Sequence, residues 1–229
     1  MNFFENSVFF GVMVSIVSYG IGCILQKKLK FAIFNPLLIS IIITIVVLLT
    51  VKIDYNVYYE GAKYLSYLLT PATVCLAVPL YEKFELLKKN RKAIFIGILS
   101  GVLTTMCIIL IMSLLFGFSH KEYVSFLPKS ITTAIGMGVS EELDGYVTLT
   151  IAVIVITGIL GNMLAPTICR IFRINEPIAR GVAIGTSSHA IGTAKAIEMG
   201  EVEGAVSGLS IAVAGLLTVI SASIFEQFI

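Results

Sequence analysis

The chain has 229 residues, 57% of them hydrophobic and only 13% charged, with a mean hydropathy of +0.98. Soluble domains carry about 25% charged residues, so a soluble globular domain, a disordered chain and a disulfide-stapled mini-protein are all excluded. The net charge of +2 is spread thinly, with no basic stripe for nucleic acid, and the composition is that of a polytopic membrane protein.

Charge-free apolar runs occur at 6–26, 31–51, 64–81, 93–119, 145–169 and 204–225. A helix needs about 20 mostly apolar residues to cross roughly 30 Å of hydrocarbon. The runs show no period-2 alternation, which excludes a barrel and leaves helices. The expected fold is an all-α integral membrane protein of about seven transmembrane helices plus re-entrant or broken segments. It is read as a single polytopic domain over residues 1–229.

In chain order, residues 7–26 read as a retained span, because no basic n-region or small-residue cleavage site precedes them. The second run opens on Asn35-Pro36, where Asn35 offers amide donors and an acceptor just inside the membrane. The third carries Thr70-Pro71-Ala72-Thr73 and then Pro79. Two prolines in one short span kink or break it, leaving either a packing helix or an unwound centre with Thr70 and Thr73 facing a cavity. The loop 82–92 is rich in lysine and suits an anionic lipid surface.

Two further stretches are apolar but interrupted. The first, SITTAIGMGVSEELDG (130–145), holds Thr132 and Thr133, then Gly136, then Glu141, Glu142 and Asp144. The second, GTSSHAIGT (185–193), holds Ser187, Ser188, His189, Gly192 and Thr193. Polar residues at bilayer depth are costly and mostly face a bundle interior or a wet cavity. Hydroxyls and backbone N–H groups at a helix N-terminus suit an anion. Tight packing is the competing reading, since Gly181 and Gly185 permit close approach of backbones. Glu141 and Glu142 either cap the segment at the surface or carry a coupling proton, a role for which His189 is the first choice.

The four cysteines lie far apart, and no His, Cys or carboxylate cluster has metal-ligand spacing, so free thiols, no metal and no cofactor are expected. Enzyme signatures such as GxSxG, HExxH and Walker A are absent. Basic residues at 27–30, 82–92 and 170–180 define one side, taken as cytoplasmic. That assignment places the N-terminus outside and the C-terminus in the cytoplasm. It needs 124–144 to be re-entrant or surface-lying, 178–197 to cross as a short broken span, and Glu198, Glu201 and Glu203 to lie outside.

A weak internal repeat accompanies these segments. At an offset of 56, residues 130–142 lie over 186–198, pairing Ala134 with Ala190, Gly136 with Gly192 and Glu142 with Glu198. A thinner match at an offset of 116 places Thr70 over Thr186, which frames an inverted repeat of residues 31–117 and 124–229. Interrupted helices in paired positions are the sequence pointer to a secondary transporter.

The motifs NPLL (35–38), LLTPATVCLAVPLY (68–81), KSITTAIGMGVSEELDG (129–145), GNMLAP (161–166) and ARGVAIGTSSHAIGTAKAIEMGEVEGAVSGLS (179–210) resemble the LrgB/CidB family. These are bacterial membrane proteins often described as antiholin-like or as murein-hydrolase regulators. The resemblance implies a bacterial cell membrane location and a small LrgA/CidA-like membrane partner. Through a plant plastid relative it implies glycolate and glycerate transport, and through bacterial relatives pyruvate movement. The expected function is therefore secondary transport of small monocarboxylates, coupled to a proton or sodium ion, in a homo-oligomer (dimer) surrounded by membrane lipid. An antiholin-like regulator of murein hydrolase export and lysis, without its own transport activity, is the alternative. The expected substrate contacts are Asn35, Thr70, Thr73, Thr132, Thr133, Gly136, Ser187, Ser188, His189, Gly192 and Thr193, with His189, Glu142 and Glu141 for coupling.

Overall fold

The computed structural model describes residues 9–29, 34–75 and 77–229, apart from the side chains at 69, 70, 73, 77, 79 and 80. The described residues form helices and no strands. The chain divides into two compact units, Met1–Cys75 and Leu76–Ile229.

In the first unit α1 (Phe10–Leu29) packs against α2 (Pro36–Val51) and α3 (Tyr55–Ser66), and α4 (Leu69–Cys75) follows. Glycines set the two contacts: a Cβ at Gly22 would strike the Pro36 backbone, and one at Gly11 the backbone of Tyr58 and Ala62. Asn35 starts α2, its Oδ1 accepting from the N–H groups of Leu37 (2.9 Å) and Leu38 (3.3 Å), with Pro36 in the first helical turn where no donor is needed. Asp54 caps α3 in the same way.

The second unit contains α5 (Ala77–Glu82), α6 (Phe84–Lys89), α7 (Arg91–Phe116), α8 (His120–Phe126), α9 (Thr133–Glu142), α10 (Val147–Ile171), α11 (Pro177–Met199) and α12 (Glu201–Phe225). Among the described helices, α1, α7, α10 and α12 with the 3-10 turn that follows it are long and apolar enough to cross a membrane, while α2 is a shorter apolar helix. On α7 the residues Ile94, Ile98, Val102, Met106 and Ile109 form one buried stripe facing α12. The opposite face of α7 exposes Leu103, Ile111, Leu114 and Leu115, a surface that is stable only against lipid.

The run 64–81, expected to be one span, is divided among α3, α4 and α5, with the unit boundary falling between α4 and α5. A larger difference concerns 178–197. Inside α11 His189 has φ 41 and ψ −143, far from helical values, and the chain reverses there. In the first arm Gly181 lies against Glu203 and Val206, and Gly185 against Ser207 and Ser210. In the second arm the Thr193 hydroxyl is 2.7 Å from that of Ser207, and Ile197 lies against Gly204. Both arms therefore run beside the first half of α12. The segment enters and returns; it does not cross, which corrects the expectation.

The stretch 120–142 folds back too, as expected of a re-entrant segment. The Thr150 hydroxyl meets both the Ser125 carbonyl (2.9 Å) and the Ser140 hydroxyl (2.7 Å), and the Tyr146 N–H donates to Ser125 Oγ. Residues 125 and 140 are thus level with the start of α10.

The two hairpins open at opposite ends of the unit. At one end Lys83 pairs with Glu201 (2.7 Å) and Arg180 with Glu203 (3.5 Å). At the other end Lys121 pairs with Asp144 (2.8 Å), Tyr123 Oη donates to the Phe225 carbonyl, and His120 Nδ1 lies 3.3 Å from the carbonyl of Ile229. Hence Glu201 and Glu203 share an end with the basic segments 82–92 and 170–180, and residue 229 lies at the end opposite. Assigning the basic loops and the C-terminus to one side, as the charge pattern alone encouraged, is incompatible with these contacts. Turning 178–197 back reverses the direction of everything after it.

Two outcomes follow. In a chain with its four cysteines replaced, Lys88→Cys and Gln227→Cys are expected to react with an impermeant thiol reagent from opposite faces of the membrane; reaction from one face would overturn the hairpin. Gly185→Val should lower the melting temperature in detergent, since overpacking costs about 1–3 kcal/mol, whereas Gly138→Ala, with nothing within 4 Å of its added Cβ, should not.

Candidate functional site

The reversal at His189 places a non-glycine residue at a positive φ inside a helix, a conformation that costs about 1–3 kcal/mol and persists only when its surroundings impose it. Those surroundings come from α10 and α12. The His189 ring is buried, and its Nε2 lies 3.0 Å from the Ile154 carbonyl, so that nitrogen carries the proton and donates. The Asn162 side chain donates to the Ile191 carbonyl (2.8 Å). Thr193 bonds both the His189 carbonyl (2.9 Å) and Ser207 Oγ. Gly158 and Gly161 of α10 face the ring and Ser188 respectively, and a Cβ at either position would collide with them. The GNMLAP motif thus receives the break: its glycine admits Ser188 and its asparagine satisfies a carbonyl.

The reversal of the other hairpin, residues 127–132, lies close by. A Cβ on Gly136 would meet Ile154 Cδ1 and the Pro128 ring, so Ile154 contacts the first hairpin with its side chain and the second with its carbonyl. Ile154 is seven residues into α10, about 10 Å along the helix axis. The two reversals therefore meet inside the span of α10. Thr132 occupies the N-cap position of α9 without a side-chain cap, and Thr133 is the first helical residue. Both α9 and the second arm of α11 begin at these reversals, so two helix N-termini with positive dipole ends lie there.

A cavity of about 90 Å³ lies between α7 and the first arm of α11, lined by Gly97, Gly101, Thr105, Val182, Ala183, Thr186 and Ser187. The Thr186 hydroxyl is buried beside it with no hydrogen-bond partner among the described residues. A larger, apolar cavity of about 540 Å³ lies between α6, α7 and α12 and is lined by none of the expected site residues.

The structure thus brings together Thr132, Thr133, Gly136, Ser188, His189, Gly192 and Thr193, with Ser187 beside the small cavity. Asn35 serves as the α2 cap in the first unit, and the side chains of Thr70 and Thr73 lie outside the described ones. Glu141 and Glu142 are exposed at the far end of α9, away from the reversals. Among the described residues no metal-binding cluster occurs.

Sequence reasoning passed over three residues. Asn162 sits in an apolar run, where an isolated amide is a signal of a buried polar partner. Thr186 was seen only as a repeat match. Lys129 stands at the reversal of the first hairpin, half-buried, with Nζ 3.0 Å from Ser130 Oγ. It was hidden because it reads as the flank of an apolar stretch.

A family model described as the LrgB-like family matches residues 15–228. The chain is 35% identical over 222 residues to the antiholin-like protein LrgB of Bacillus cereus strain B4264, covering 96% of each chain. The antiholin-like protein LrgB of Bacillus anthracis strain A0248 matches with the same identity and coverage. No solved structure matches.

Contact between Gly161 and Ser188 is testable as a pair. Gly161→Ala should destabilise the folded protein by about 1–3 kcal/mol, read as a lower melting temperature. Adding Ser188→Gly, which clears the side chain from its path, should restore part of that loss; strict additivity of the two changes would show that the residues do not touch.

Proposed function

This chain belongs to the LrgB family, and from that premise we propose that it is a secondary transporter of small monocarboxylates of the pyruvate, glycolate and glycerate class. One observation carries the reading: two helical hairpins enter from opposite ends and reverse against the same residue, Ile154, inside the bundle. Paired broken helices with polar tips are costly to bury and are of use where an ion or polar solute must be held between two aqueous phases.

The offset of 56 supports this arrangement. It carries Arg91 onto Val147, Phe116 onto Phe172 and Glu142 onto Glu198, so that α7 with its hairpin lies over α10 with its hairpin. The inverted repeat is then framed by residues 91–142 and 147–198. By the positive-inside rule the end bearing Lys83, Arg91, Arg170 and Arg180 is cytoplasmic, which puts residue 229 outside.

Moving a carboxylate inward against a negative-inside potential costs about 2.3 kcal/mol per 100 mV, so uptake requires a co-transported cation. His189 is the coupling residue of choice because it lies at the reversal; Glu142 and Glu141, being exposed, come second. The relatives' antiholin-like name favours a second reading, a regulator of murein hydrolase export and lysis without its own transport activity.

Uptake of labelled pyruvate, glycolate and glycerate into proteoliposomes separates the two. Saturable uptake of at least one, accelerated by an inward proton gradient, is expected of the protein alone. No uptake of any of the three, with or without the small partner, would leave the regulator reading. His189→Gln keeps a hydrogen-bonding group at Ile154 but no titrating ring, and its uptake should lose the response to the proton gradient. Retention of the full response would remove histidine from coupling.

A further inference from the structure

We infer that Lys129 is the counter-charge that receives the substrate carboxylate, and that it restricts the site to anions carrying a single negative charge. The inference rests on the transport reading above and adds a residue and a selectivity to it.

Lys129 lies in the reversal between α8 and α9, flanked by the buried residues Pro128, Ser130 and Ile131. An ammonium has three protons to donate. Lys129 directs one to Ser130 Oγ, and among the described residues it pairs with no carboxylate. Lys63, Lys83, Lys121 and Lys195 differ: each is ion-paired, and none stands at a hairpin reversal. A partly buried charge without a counter-ion is unfavourable, and a visiting anion would relieve it.

The neighbouring backbone agrees in sign. The first turn of α9 begins three residues after Lys129, its N-cap hydroxyl makes no capping bond, and its leading N–H groups have no acceptor within the helix. The flanking acids along the chain do not neutralise Lys129: Glu122 is engaged by Ser119 at the start of α8, and Glu141 and Glu142 are exposed at the other end of α9.

The repeat adds an asymmetry. At the offset of 56 Lys129 falls on Gly185, which is pressed against the backbone of α12 and has no room for a side chain. The reversal of one hairpin thus carries a lysine and that of the other does not. A single ammonium balances a monocarboxylate; a dicarboxylate would bring a second charge that only a protonated His189, already assigned to coupling, could meet.

The test uses the full-length protein in proteoliposomes. Lys129→Met should raise the half-saturating pyruvate concentration about ten- to a hundredfold, the loss of one hydrogen bond to a charged group. Lys129→Arg should lose much less. Pyruvamide, a neutral isostere, should compete equally weakly against wild type and Lys129→Met, and succinate should compete poorly against wild type. Melting temperature and elution profile verify folding, and Lys129→Gln replaces the methionine variant should that one not fold. If wild type transports and the neutral variants match it, or Arg is as impaired as Met, or pyruvamide distinguishes wild type from Met, the role of Lys129 is wrong while transport stands. If wild type moves none of the carboxylates, both readings fall together.

Discussion

A helix that breaks inside an apolar bundle leaves carbonyl and N–H groups that water cannot reach. Each group left unpaired costs about 1–3 kcal/mol, whereas a formed hydrogen bond contributes only about 1 kcal/mol net. The structure of the second unit depends on meeting that constraint at His189. Asn162 and Thr193 bond carbonyls at the break, and the His189 ring bonds the Ile154 carbonyl. These partners come from α10 and from α11 itself, while Ser207 of α12 holds Thr193. Three helices are thereby fixed around one strained residue.

Close approach is the second requirement, and glycine supplies it. Gly158 and Gly161 let α10 reach the break; Gly181 and Gly185 let the first arm of α11 lie on the backbone of α12. Gly97 and Gly101 of α7 admit Val182 and Thr186 from the other side. Small residues at these positions permit interhelical hydrogen bonds and dense packing, which drive association where lipid provides no hydrophobic contrast. The same close packing leaves the small cavity beside Thr186, with its buried hydroxyl.

The Lys83–Glu201 and Lys121–Asp144 pairs at the ends of the unit are largely exposed and contribute little stability, about 0–1 kcal/mol each, whereas Glu203 of the Arg180 pair is buried. Their value is topological. Lys83 with Glu201 and Arg180 with Glu203 hold the two ends of the α11 hairpin level. The pairs at Lys121 and the bond from Tyr123 gather the chain around residues 120, 144 and 225 at the opposite end. Charge is confined to the two ends, except at Lys129.

Composition and run length by themselves determined that the chain is a helical membrane protein, because only continuous apolar helices satisfy their backbone in lipid. The long helices α7, α10 and α12 were legible for that reason, as were the hydroxyl–glycine segments around residues 132 and 189 as interruptions. Tertiary structure alone decided whether 178–197 crosses or returns. Hydropathy records how apolar a segment is and carries no direction, and the reversal rests on one φ angle at His189 and on side chains of α10 and α12 distant in sequence. The same limit hid Asn162 and Lys129. A half-buried amide and a half-buried ammonium take their meaning from what faces them, and what faces them is set when the two hairpins meet at Ile154.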